Sequence, residues 1–139
     1  DVDLEAAGRL YRALARAISG RIVRSCHDCS DGGVAVALAE SCLGGRLGVK
    51  ADLGGLPGRW LESADRHPAR ALFSESGGRF VVSVRREDRE RFEETLTGLP
   101  IRWVGETTAE RSLVVALSGV GAVRVGLDDI ERAFKTPIA

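Results

Sequence analysis

The 139-residue chain contains no methionine, which is expected of a processed or excised piece rather than of a complete translation product. It also lacks any surplus of charge, since twenty Lys and Arg offset twenty Asp and Glu. Proteins that bind phosphate backbones concentrate cationic charge, so no nucleic-acid partner is expected. Long apolar runs are missing too. Val34–Leu38 and Leu113–Leu117 fall far short of the roughly 20 residues that a membrane-spanning helix needs. No charged segment precedes an apolar block at the N-terminus, so neither a membrane role nor secretion is expected. Three cysteines cannot form the even framework of a small secreted disulfide protein, which leaves the cytoplasm as the expected compartment.

What remains is an ordinary soluble composition, 44% hydrophobic and 29% charged, at a length that one hydrophobic core can serve. A single domain over residues 1–139 is therefore expected. Leu4, Ala7, Leu10, Leu14, Ala17 and Ile18 recur at helical spacing between arginines, with Asp3 placed to cap the helix and Gly20 to end it. A short extended piece, Ile22–Cys26, leads into His27-Asp28-Cys29-Ser30-Asp31-Gly32-Gly33. Val34–Cys42 then reads as a small-residue apolar helix, buried on most sides and stopped by Gly44-Gly45.

Leu47–Leu53 alternates as a strand does, before a loop over residues 54–58. Residues 60–71 fit no single pattern, although Pro68 permits a short helix. Phe80–Val84 is a strand. Glu87–Leu96 is a charged helix with Phe92 and Leu96 inward and a Glu87/Arg91 pair. Ile101–Glu106 and Leu113–Leu117 read as strands in succession, Val123–Val125 as a short third, and a last helix starts at Asp128 or Asp129. This mixture predicts an α+β fold: a mixed sheet with flanking helices.

Chemistry is concentrated at Ser30-Asp31-Gly32-Gly33, where an extended segment turns into a helix. A helix start offers unpaired N–H groups and the positive end of a dipole, and glycines let a ligand approach the backbone. Two readings stand: Ser30 or Asp31 caps the helix, or the N–H groups hold a phosphate with Ser30 as a further donor. Asp28 and Asp31 would repel a bare phosphate, a conflict that Mg²⁺ held by both would remove. His27 is a candidate donor to the same ligand. Cys26 and Cys29 form a C-x-x-C, but Cys42 and His67 offer no second paired spacing for zinc, and the thiols read as small packed side chains. Ser74-Glu75-Ser76-Gly77-Gly78 is a second polar turn, and the run Arg85–Arg91 is interleaved with acids, as on a solvated helix face.

Two longer words join these segments. His27–Glu40 resembles the H-D-x-S-D-G-G-hydrophobic-x-x-A-L-A-E stretch of the phosphoribosylformylglycinamidine synthase large-subunit family, and Leu72–Phe80 resembles its L-F-S-E-S-x-x-R-F/V segment. Val104-Gly105-Glu106 is similar to a further strand of that family. Cys29 fills the variable position of the first word, and Gly77-Gly78 those of the second. The resemblance implies the C-terminal-domain fold of aminoimidazole ribonucleotide synthetase (PurM), in a fragment of a larger chain. It implies an ATP-dependent ligase that converts formylglycinamide ribonucleotide to the amidine with glutamine-derived ammonia, using ATP and Mg²⁺. It further implies His27, Ser30, Asp31, Gly32, Gly33, Ser74, Glu75 and Ser76 as substrate- or phosphate-binding residues and Asp28 and Asp31 as magnesium ligands. The implied partners are an N-terminal ATP-binding domain of the same chain, a glutaminase and small accessory subunits. Alternatives are a non-catalytic, partner-docking domain of that enzyme and the equivalent domain of another member of the superfamily.

Overall fold

A computed structural model describes residues 3–54, 68–75, 77–117 and 121–136. Ser76, His67, most of the 54–58 loop and residues 60–67 of the unassigned segment lie outside them. Contacts cluster in two units, Asp1–Ser30 with Ser76–Arg102, and Asp31–Glu75 with Trp103–Ala139.

In the first unit, helix α1 (Leu4–Ser19) starts where its sequence says it should, with the Asp3 carboxylate accepting from the Ala6 N–H at 2.9 Å. Strand β1 (Val23–Asp28) pairs antiparallel with β3 (Phe80–Val84), in register from Val23 opposite Val84 to Asp28 opposite Phe80, with an irregularity between Val23 and Ser25. A 3₁₀ turn, Arg86–Asp88, leads into helix α4 (Arg89–Thr95). Among the described residues, Ala13, Leu14, Ala17, Ile22, Cys29, Phe92 and Leu96 are the buried apolar side chains of this unit, and the Tyr11 ring meets Phe80 edge-on at 5.9 Å. The expected Glu87/Arg91 pair is corrected. Because the chain enters α4 through the tighter 3₁₀ turn, Arg91 bonds Asp88 at 2.9 Å, while Glu87 lies 3.9 Å from Arg85.

The second unit carries helix α2 (Gly33–Gly45), strand β2 (Gly48–Asp52), the short helix α3 (Pro68–Phe73), strands β4 (Gly105–Thr108), β5 (Ser112–Leu117) and β6 (Gly121–Gly126), and helix α5 (Leu127–Lys135). Its sheet runs β4-β2-β5-β6, with β2 and β5 parallel and the other pairs antiparallel. The expected succession of strands after residue 101 is therefore corrected in two respects. Strand β4 begins only at Gly105, and β2 lies between it and β5. Gly105 explains the close fit: a Cβ there would collide with the Lys50 carbonyl and stand 2.7 Å from Ala51 Cα. Ala51, Leu113, Val115 and Leu117 from the sheet, Ala37, Leu38 and Cys42 from α2, and Leu127 from α5 are buried. The mixed sheet with flanking helices is the architecture the sequence predicts.

Both long helices end on a glycine followed by an arginine, and the arginine takes the left-handed conformation: Arg21 has φ 58° after Gly20, and Arg46 has φ 52° after Gly45. The sequence assigns that terminating role to the glycines. The left-handed conformation costs an L-residue roughly 1–2 kcal/mol. Arg21 is exposed, so Arg21→Gly is expected to raise unfolding free energy by about 0.5–1 kcal/mol in urea melts.

Candidate functional site

The start of α2 is built by two successive left-handed glycines. Gly32, the cap residue, has φ 71°, Gly33 has φ 67°, and no side chain of the cap residue bonds the helix. Neither glycine has room for a Cβ. At Gly32 it would stand 2.8 Å from Val36 Cβ; at Gly33, 2.8 Å from both the Leu72 and Ser74 carbonyl oxygens. The segment that follows α3 therefore lies directly against the first residue of α2. Leu72 is buried, and Ser74 donates its N–H to the Arg70 carbonyl at 3.0 Å, which ties the segment to the end of α3.

From this contact Glu75 reaches the helix start, where its Oε1 accepts from the Gly32 N–H at 2.9 Å. A residue 43 positions away thus caps the helix, correcting the expectation that Ser30 or Asp31 does so. The left-handed turn at Gly32 accounts for the difference, since a side-chain N-cap normally works from an extended backbone. Beyond Gly32, the N–H groups of the first helical turn have no intrahelical partner. Among the described residues, Gly33 and Val34 are buried at this point, whereas Asp31 is exposed and Gly32 half-buried.

His27, Asp28 and Ser30 belong to the other unit, at the end of β1. Ser30 Oγ donates to the Asp28 carboxylate at 2.5 Å, and this hydrogen bond is the largest of the influences that hold the Asp28 carboxyl below its ordinary range. His27 Nδ1 lies 2.7 Å from the Asp28 carbonyl, which can only accept, so Nδ1 carries the proton. Ser74 and Glu75 sit beside α2, and Ser76 lies outside the described residues. Among the described residues no group of three or more His, Cys, Asp or Glu is arranged to hold a metal ion. A magnesium ion at Asp28 or Asp31 would thus need phosphate oxygens and water for its remaining positions, the manner in which Mg²⁺ usually binds.

The distal cap by Glu75 and the backbone seat of Leu72–Ser74 on Gly33 escape reasoning from local sequence, because capping rules look only a few residues away. The one signal in the sequence that links the two segments is their pairing as two words. On balance no thiol pKa is lowered: desolvation raises the pKa of partly shielded Cys26 and of buried Cys29 and Cys42 above its ordinary value, with the Asp28 charge adding to it at Cys26. No cysteine is disulfide-bonded. Iodoacetamide at pH 7 is expected to label exposed Cys26 more slowly than a small free thiol, and buried Cys29 and Cys42 only after denaturation. Rapid labelling of the folded protein at Cys29 would contradict the packed reading of the C-x-x-C.

Residues 1–118 match a family profile described as "AIR synthase related protein, C-terminal domain". The chain is 34% identical over 139 residues to the phosphoribosylformylglycinamidine synthase subunit PurL of Thermobifida fusca, covering 99% of this chain and 16% of that protein. It is 35% identical to PurL of Methanothermobacter thermautotrophicus, covering 96% of this chain and 17% of that one. Among solved structures it is similar to T. maritima PurL complexed with ATP, with TM-score 0.78 and 25% identity over 94% of this chain and 22% of the other. T. maritima PurL complexed with FGAR is similar in fold, with TM-score 0.74 and 24% identity over 89% and 20% of the respective chains. The chain thus spans about one sixth of the length of these curated relatives.

Proposed function

The chain belongs to the AIR synthase related family as its C-terminal domain, and from that premise we propose that it serves within a phosphoribosylformylglycinamidine synthase, contributing a phosphate-binding helix start to the ATP-dependent amidation of formylglycinamide ribonucleotide. The observation that carries the reading is the opening of α2, where two left-handed glycines bring backbone against a polar loop and leave N–H groups without intrahelical partners. A phosphate favours such a position, because several donors and the helix dipole act on it together. Glu75 and Asp31 oppose an anion there, so binding requires either that Glu75 leave the Gly32 N–H or that Mg²⁺ lie between carboxylate and phosphate. Ser30 and His27 are further donors in this proposal, each exchanging its bond to Asp28 for one to the ligand, and Ser74 belongs to the polar loop. ATP phosphorylates the substrate amide oxygen in this reading, and ammonia then displaces the phosphate. This domain positions the substrate and offsets its charge, while other parts of the chain bind ATP. A glutaminase, small accessory subunits and a cytoplasmic location belong to the same proposal. Among the described residues no helix is long and apolar enough to cross a membrane.

A second reading has its own support in the Glu75 bond. A helix start already satisfied by a carboxylate suits a domain that acts only as structural support or docking surface for the rest of the enzyme. The two readings separate in the full-length enzyme. Replacing Gly32 by Val is unsuitable, because crowding by Val36 and the positive φ would cost stability whatever the ligand. Ser30→Ala is the better probe. The phosphate reading predicts that KM for formylglycinamide ribonucleotide rises roughly tenfold, the worth of one hydrogen bond to a charged group, with melting lowered only slightly by loss of the exposed Ser30–Asp28 bond. An unchanged KM would favour the supporting role. The 139-residue chain by itself is expected to form no amidine from formylglycinamide ribonucleotide, ATP and ammonia above a heat-treated control, and measurable turnover would contradict the division of labour proposed.

A further inference from the structure

Helix α1 buries only part of its apolar surface. Ala13, Leu14 and Ala17 are buried in its unit, whereas Leu4, Tyr11 and Ile18 are 80%, 50% and 48% exposed. These three residues, with Gly8 and Ala15 between them, recur at alternating spacings of four and three. At 3.6 residues per turn they occupy a single stripe roughly 80° wide. The small residues Gly8 and Ala15 leave the stripe shallow in the middle, which lets another backbone or side chain approach closely. Tyr11, stacked edge-on against Phe80, is held in place rather than free to fold away.

A row of arginines borders the stripe on one side. Arg9 is bonded to Glu5 at 2.7 Å, but Arg12 and Arg16 have no carboxylate partner among the described residues. Arg12 lies beside the stripe itself, since a Cβ on Gly8 would stand 3.2 Å from its guanidinium. No acidic residue occurs between Arg9 and Arg24. The charge pattern narrows the occupant. A second copy of this helix, paired about Tyr11, would bring Arg12 against its own counterpart, and like charges so placed disfavour the pairing. An apolar surface edged by carboxylates would instead satisfy the stripe and the arginines together. The curated relatives are about six times as long as this chain, so such a surface can come from the same polypeptide.

We infer that the Leu4–Gly8–Tyr11–Ala15–Ile18 face of α1 is an intrachain docking surface, covered in the full-length protein by an apolar, carboxylate-edged face of another domain of the same polypeptide. This inference does not depend on the phosphate reading of α2 and survives its failure. The test uses the full-length protein carrying R12K or R16K, treated with a water-soluble carbodiimide, which joins an amine to a carboxylate already in contact with it. Isotopically light and heavy protein are mixed in equal amounts so that links within one chain are told from links between chains. The expected result is a zero-length link, within one chain, from the introduced amine to an Asp or Glu outside residues 1–139. Adding Ala15→Glu, which places a charge in the middle of the stripe, is expected to cut the yield of that link at least fivefold. Links only between two copies, only to a second protein, or only within residues 1–139 would overturn the inference, as would the absence of any link. A link whose yield Ala15→Glu leaves unchanged would also overturn it, since the stripe would then not be part of the contact.

Discussion

The candidate site depends on one steric constraint, the lack of room for a Cβ on Gly33. Backbone carbonyls of Leu72 and Ser74 occupy that space, so the segment after α3 is seated on the first residue of α2. With that segment in place Glu75 reaches the Gly32 N–H, and the polar turn that reads as a bare loop in sequence becomes part of the helix start. The glycine pair is thus required twice: Gly32 for a left-handed turn crowded by Val36, and Gly33 for a left-handed turn against another backbone.

Carboxylates dominate the surroundings of this helix start, and their presence shapes the chemistry more than the glycines do. Glu75 fills one donor, and Asp31 is exposed beside it. In the proposed phosphate reading, this helix start exchanges its own carboxylate for a more highly charged anion. Phosphate can succeed in that exchange because it presents several acceptors to N–H groups that one carboxylate cannot serve at once.

Much of the fold was legible because periodicity carries it. The apolar spacing of α1, the continuous small-residue run of α2 and the alternation of β2 and β3 each follow from which faces are buried. Sheet order was not legible: nothing local states that β2 lies between β4 and β5, because parallel pairing of β2 with β5 joins residues more than sixty positions apart. Helix ends were readable only to within a residue, since Arg21 and Arg46, not the glycines before them, adopt the left-handed conformation. At the site, the residue types were recognisable at Ser30–Gly33 and Ser74–Glu75, but their roles were not. Local rules favour Ser30 or Asp31 as the cap, whereas tertiary contact delivers Glu75 and leaves Ser30 bonded to Asp28.

The seating of the Leu72–Glu75 segment on Gly33 is tested most directly by Gly33→Ala, read by unfolding free energy together with amide hydrogen exchange at Gly32. A methyl group at that position must push against two carbonyl oxygens from a backbone conformation unfavourable to alanine. A loss on the order of 2–4 kcal/mol is predicted, with protection of the Gly32 amide falling as Glu75 is displaced. Stability within about 0.5 kcal/mol of the parent and an equally protected Gly32 amide would contradict the account.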